Sequence, residues 1–221
     1  MKTGIIIQAR INSSRLPGKI LKTVQGKMLI EYCLERLLLT GFPLILAVPQ
    51  NSTERLAGLL ARYPVSIFTG SEEDVLGRYC RAARAHNLDI VIRATADNPF
   101  VSVTCCTGIH KLFTAGQYDL AHYTGMPWGS GVEVITRQAL EKAFVESTDA
   151  FEHEHITQYH YRHPEKFRLY EPAAPGEYYF PGLRVTVDTD DDFKKFSAVM
   201  EKVPKSERGI VEFCEIIKHA G

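Results

Sequence analysis

The sequence carries no excess of charge of either sign: Lys+Arg and Asp+Glu both number 26 among 221 residues, and the formal net charge is zero. A polynucleotide binder concentrates basic residues, and no long basic run occurs, which argues against a nucleic-acid partner. Long hydrophobic stretches are lacking as well. The first apolar run covers only Ile5 to Ile7, too short for a signal-peptide core. Nothing approaches the roughly 20 apolar residues of a membrane span. Five cysteines, at 33, 80, 105, 106 and 214, show no CxxC spacing. Cys33, Cys80 and Cys214 fall on apolar helical positions and read as small buried hydrophobes of a reducing compartment. Together these absences predict a cytoplasmic chain without a membrane partner. Neither the GxxxxGK[ST] of a P-loop nor the GxGxxG of dinucleotide folds is present.

What is present is the balance of a soluble α/β protein, 45% hydrophobic and 24% charged. Short apolar runs alternate with amphipathic stretches. GIIIQAR predicts a buried strand, Met28 to Thr40 a helix stopped by Gly41, and PLILAVP a second strand. Ser52 or Thr53 opens a helix through Tyr63, VSIFTG is a third strand, and Ser71 with Asp74 resembles a capping box for a helix to about His86. DIVIRATAD is a fourth strand. The first hundred residues therefore read β-α-β-α-β-α-β, the signature of a parallel sheet with right-handed crossovers. Beyond them, helices are predicted over Ser102 to Gly116, Thr136 to Phe144, Ala150 to Arg162, Asp190 to Lys202 and Ser206 to His219. Strands are predicted over Tyr118 to Tyr123, Val132 to Ile135 and the segment RVTVD. The expectation is one domain over 1–221, with an acceptor or dimerisation excursion around 120–180.

In open parallel sheets ligands bind beyond the carboxyl ends of the strands, and three such ends carry unusual chemistry. QARINSSRLPGK places Arg10, Arg15 and Lys19, with Ser13 and Ser14 between them, behind the first strand. A triphosphate, with about four negative charges, needs such cations around it, although a solvated surface loop reads equally well from charge alone. On the fourth strand Arg93, Thr95 and Asp97 share one face. Either Arg93 and Asp97 form a structural ion pair, or Asp97 is a magnesium ligand at a strand tip and Arg93 a nucleotide contact. In RVTVDTDDD, Asp190, Asp191 and Asp192 suit the first turn of a helix, whereas Asp188 sits at the strand tip and can join Asp97 on one metal. FEHEHITQY lacks the HExxH order of zinc proteases, so Glu154 and His155 read as acceptor contacts or helix surface. MPWGSGVEVI, with Gly125 upstream, reads as a mobile flap leading to an acceptor-lining Glu133, or as a plain loop.

The stretches IIIQARINSSRLPGKIL, GSEEDVLGRY, IRATADNPFV, GVEVI, EHEHIT and RVTVDTDDDF run in the order of the SpsF-like cytidylyltransferases, and the chain resembles that family, a branch of the CMP-sialate and CMP-Kdo synthetase group. The resemblance implies a Rossmann-like nucleotide-diphospho-sugar transferase fold, with a mostly parallel central sheet and helices on both faces. It implies CTP as donor, Mg2+ as cofactor, a small acidic sugar as acceptor and a homodimer. By matching motif, Gln8, Ala9 and Arg10 would lie against the nucleotide, Arg15 and Lys19 on its phosphates, and Arg78 near it. Asp97 and Asp188 would hold the metal. Ala96 stands where a Gly commonly precedes that Asp. Three other readings compete: nucleotide transfer to a sugar phosphate, a glycosyltransferase of the same fold, with Asp188 and Asp190 as a DxD-like pair, and a non-catalytic nucleotide-binding subunit.

Overall fold

The computed structural model describes residues 1–203 apart from Ser14. The expected helix over Ser206 to His219 and Cys214 lie outside the described residues, as does Ser14. Strand β1 (Thr3–Gln8) leads through a loop and a small hairpin, β2 (Thr23–Val24) and β3 (Lys27–Met28), into helix α1 (Leu29–Leu38). Then follow β4 (Leu44–Pro49), α2 (Thr53–Leu60), β5 (Val65–Gly70), α3 (Val75–Ala85), β6 (Ile90–Thr95) and α4 (Val103–Gly116). These strands pair in parallel in the order β5-β4-β1-β6. The order reverses at β1, which neighbours both β4 and β6, so a crevice opens where the crossovers on either side diverge.

The two-residue period of β1 explains the layering. Ile5 and Ile7 face one core with Cys33, Leu34 and Leu37 of α1, Leu56 and Leu59 of α2, and Ile109 and Phe113 of α4. Ile6 faces the other core, with Val75, Leu76, Tyr79 and Ala83 of α3. Helices therefore cover both faces of the sheet. Cys33 and Cys80 are buried as their positions suggested, and burial pushes both thiols well above their usual pKa.

The stretch from 120 to 180 extends the same sheet. β8 (Glu133–Thr136) adds antiparallel beside β6, β7 (Leu120–Ala121) pairs antiparallel with β8, and β9 (Leu169–Tyr170) closes the edge parallel to β7. After α5 (Arg137–Glu146), the single helix expected over Ala150 to Arg162 is two short ones, α6 (Ala150–Glu154) and α7 (Gln158–Arg162). The β-branched pair Ile156–Thr157, poorly suited to a continuing helix, breaks it, and the Ile156 side chain enters the core. RVTVD is not a strand either: it makes one isolated bridge, Arg184 to Trp128, the N–H groups of Val185, Thr186 and Val187 go to loop carbonyls, and that of Asp188 goes to the Asp192 carboxylate. The cap of α3 is Asp74, not Ser71; its Oδ1 accepts from Gly77 N–H at 2.8 Å, while Ser71 Oγ accepts from Asp74 N–H. The three aspartates opening α8 (Asp190–Lys202) are first-turn acids, with Thr189 and Asp192 forming a capping box. Among the described residues no helix is long and apolar enough to cross a membrane.

One long-range tie fixes α6 against α3. His153 Nδ1 lies 2.8 Å from the capping Asp74 Oδ1, and its Nε2 lies 3.1 Å from the Ser147 carbonyl. Burial opposes the imidazolium, but Asp74 outweighs it and raises the His153 pKa above its usual 6.5. A raised folded pKa means that this stability is complete below about pH 6.5 and is lost as pH rises through the folded value. We predict that wild-type stability in urea falls over that rise, that His153→Gln flattens the fall, and that identical pH profiles would refute the assignment.

Candidate active site

The chain leaving β1 has to cross the carboxyl edge of the sheet before reaching α1. It doubles back at Gly18, which sits at φ 67° and donates its N–H to the Ile11 carbonyl at 3.0 Å. The reversal returns Lys19 to the strand tips with its side chain only 9% exposed. On the neighbouring strand, Ala96 N–H donates to the Gln8 carbonyl at 2.9 Å, so Asp97 emerges beside the same edge. The segment 184–188 is stitched to this loop, with Val187 N–H on the Asp97 carbonyl at 3.0 Å. Its partner being a loop carbonyl rather than a sheet edge, the segment stays extended without becoming a strand, and it delivers Asp188.

The two carboxylates converge on one ammonium. Lys19 Nζ lies 2.5 Å from Asp97 Oδ2 and 2.7 Å from Asp188 Oδ1. Arg15 Nη2 approaches Asp188 Oδ1 at 3.4 Å, and Arg184 donates to Asp188 Oδ2. Burial pushes the Asp188 carboxyl up, but Lys19, with Arg15 and Arg184, outweighs it and holds it below the usual 3.8. The node lies in a cleft of about 880 Å³, which Gln8, Arg10, Arg93, Glu133, Glu154 and His155 also line.

The remaining expected residues divide. Arg10 Nη1 is 3.0 Å from Glu154 Oε1, joining the first loop to the end of α6. His155 is exposed at the lip, its ring 4.4 Å from that of Phe151. The Arg93–Asp97 ion pair is not formed. Arg93 stands opposite Glu133 in the β6–β8 register, and its Nη1 lies 2.6 Å from Glu133 Oε2, with Tyr161 Oη donating to Oε1 at 2.7 Å. Burial opposes both charges, yet their mutual attraction leaves Arg93 raised and Glu133 lowered. Arg93 Nε has no hydrogen-bond partner. Ala9 is buried in the core and offers the cleft no side chain. Arg78 is not brought to the cleft lining: it is fully buried behind Gly70, donating Nη1 to the Ser71 carbonyl while Nε and Nη2 find no partner.

Sequence reasoning missed Arg184 and His122. The i,i+4 spacing of Arg184 to Asp188 was a usable signal. His122, whose Nε2 lies 2.9 Å from Glu171 Oε1 at the cleft wall, had none, since that pairing depends on β7 meeting β9. The expected flap around Trp128 is pinned: Trp128 N–H donates to the Leu183 carbonyl at 2.8 Å, and its own carbonyl accepts from Val185 and Thr186.

Among the described residues no group of three or more His, Cys, Asp or Glu side chains is poised to hold a metal. Magnesium needs no such group, since it takes one or two carboxylates and fills its other positions with water and phosphate oxygens, and Asp97 and Asp188 supply two carboxylates. The ammonium between Asp97 and Asp188 marks a position already selected for positive charge.

The family model described as "Cytidylyltransferase" matches residues 4–217. The spore coat polysaccharide biosynthesis protein SpsF of Bacillus subtilis is 30% identical over 221 residues, 96% of this chain and 91% of that one. A 3-deoxy-manno-octulosonate cytidylyltransferase of Hydrogenovibrio crunogenus is 30% identical over 54% of this chain and 50% of its own length. The solved structure of a cytidylyltransferase from Leptospira borgpetersenii superposes with a TM-score of 0.89 at 28% identity, covering 99% of this chain and 93% of that one.

Removing the shared cation tests the node. Lys19→Met leaves two facing carboxylates, and we predict a loss of about 1–3 kcal/mol in urea unfolding at pH 7. Because Asp188 is depressed, the stability it contributes is present above about pH 3.8 and lost as pH falls further. The acid-side fall should therefore shrink in Lys19→Met; an unchanged stability and an unchanged acid profile would contradict the node.

Proposed function

The chain belongs to the cytidylyltransferase family, and we propose that it transfers the CMP half of CTP to a small acidic sugar in a magnesium-dependent reaction that releases pyrophosphate. The observation that carries the proposal is the convergence of Lys19, Asp97 and Asp188 at the crevice between β1 and β6. Three cations, Lys19, Arg15 and Arg184, meet two carboxylates there, so the node has a surplus of one positive charge. A triphosphate with about four negative charges exceeds that surplus, which favours delivery with a divalent cation. Asp97 and Asp188 would hold magnesium, which would supply positive charge against the negative charge that develops on the phosphates.

The chain's own residues have separate tasks in this reading. Lys19, once its carboxylates engage another cation, is within reach of the phosphates. Arg15, 65% exposed, is free to swing onto the departing pyrophosphate. Arg10, held by Glu154, exchanges that carboxylate for phosphate oxygens. Gln8 lies at the β1 tip to meet the nucleoside. On the other wall Glu133, Glu154 and His155 meet the acceptor, whose hydroxyl attacks the α-phosphorus as the bond to pyrophosphate breaks, with no covalent enzyme intermediate. The same reading makes the enzyme a cytoplasmic homodimer.

A glycosyltransferase built on Asp188 and Asp190 is less well supported. Asp190 has a 70% exposed side chain and lies 3.5 Å from Lys22 Nζ, outside the cleft lining. A non-catalytic subunit has no need of the full set of charged residues that the cleft retains. The direct test is pyrophosphate release with CTP, magnesium and 2-keto sugar acids, in wild type, Asp97→Asn and Asp188→Asn. We predict release in wild type and a fall of about 10²–10³-fold in each variant, both remaining folded by circular dichroism. Near-wild-type turnover by both variants would refute the metal assignment.

A further inference from the structure

Trp128 is 69% exposed although its backbone is among the most firmly held in the cleft wall. Its N–H donates to Leu183 at 2.8 Å, and its carbonyl accepts from Val185 at 2.9 Å and Thr186 at 3.2 Å. The next residue, Gly129, sits at φ 97°, and a Cβ there would lie 2.6 Å from the Thr186 nitrogen. Only glycine permits that approach, so the backbone following Trp128 is packed closely against Thr186. The segment that pins Trp128 also reaches Asp97, because Val187 N–H donates to the Asp97 carbonyl at 3.0 Å. The exposed Trp128 therefore lines the same cleft as Asp97, Asp188 and Glu133, one short segment away from the two aspartates.

A large aromatic surface left in water is costly, and its fixed backbone argues for a ligand with an apolar face. We infer that Trp128 is a stacking platform for the acceptor sugar ring and a determinant of acceptor selectivity. This rests on the reading that the Glu133 wall binds the acceptor. A pyranose offers one face of C–H groups, with its hydroxyls at the rim. That face complements the electron-rich face of indole, while the rim remains free for polar groups of the wall. Stacking there would orient the sugar toward the α-phosphorus and discriminate by the shape of the face, not by the sugar's charge.

Trp128 is the one tryptophan in the chain, so its emission reports directly on this position. The experiment titrates the CTP- and magnesium-loaded enzyme with 3-deoxy-manno-octulosonate and with N-acetylneuraminate, reading indole emission, and measures pyrophosphate release by wild type, Trp128→Ala and Trp128→Phe. The expected result is an emission change on adding a sugar acid and little change on adding CTP. Trp128→Ala should raise the acceptor KM at least about tenfold with the CTP KM within twofold, and Trp128→Phe should recover most of the loss. No emission change with either sugar acid overturns the proposal, whether or not turnover occurs. An effect confined to the CTP KM would assign the indole to the base. A change of molar mass in Trp128→Ala with unaltered acceptor KM would assign it to a subunit contact, and either result overturns the proposal. Failure of pyrophosphate release with every acceptor is a failure of the cytidylyl-transfer reading, and an unaltered acceptor KM in Trp128→Ala is a failure of the stacking alone.

Discussion

A lysine ammonium held between two carboxylates ties together three parts of the chain that are far apart in sequence. Lys19 and Asp97 are separated by 78 positions, Lys19 and Asp188 by 169. Each of these charges would be expensive in a partly buried cleft on its own, and each is tolerated because the others are present. The loop after β1 therefore cannot take its observed course without the tip of β6, and neither is complete without the segment before α8. Under the proposed function, its small positive surplus suits a ligand that brings phosphate and a divalent cation together.

The sheet explains why the node forms there. With β1 flanked by β4 and β6, the crossovers diverge and leave a crevice at the carboxyl edge. The three buried isoleucines of β1, Ile5 to Ile7, fill both cores and fix the strand, while polar Gln8 and Arg10 fall where the sheet ends. The cleft also holds a second, part-buried pair, Arg93 with Glu133, set by the antiparallel register of β6 and β8. Under the proposed function the node meets phosphate and this pair faces the acceptor, a division of labour that suits a two-substrate transfer.

Much of this was legible in the residues, for local reasons. Buried parallel strands announce themselves as short apolar runs, and β5 falls on VSIFTG without a shift. Asp188 stood out because it had no local explanation such as a helix cap, whereas Asp190 to Asp192 did; Asp97 stood at a strand tip, with an ion pair to Arg93 as the competing reading. What failed depended on tertiary partners. RVTVD has a strand's alternation, but loop carbonyls take the N–H groups of Val185, Thr186 and Val187. The helix over 150–162 has enough periodicity to continue, but the core draws Ile156 inward. Arg93 has Asp97 on its own strand face, yet its partner comes from β8, a strand whose register no local pattern reveals. The burial of Arg78 with two nitrogens unpartnered has no counterpart in its sequence surroundings.

The central claim is that the Lys19–Asp97–Asp188 node receives CTP together with a divalent cation. Thermal melting against CTP, UTP, GTP and ATP, with and without magnesium, tests it without any acceptor, because a ligand that binds the folded state alone stabilises it by about 2.7 kcal/mol at a hundredfold excess over Kd. The account predicts a rise in melting temperature with CTP that requires magnesium and disappears in Asp97→Asn. A rise with a purine nucleotide instead, or an equal rise with CTP in the variant, would contradict it.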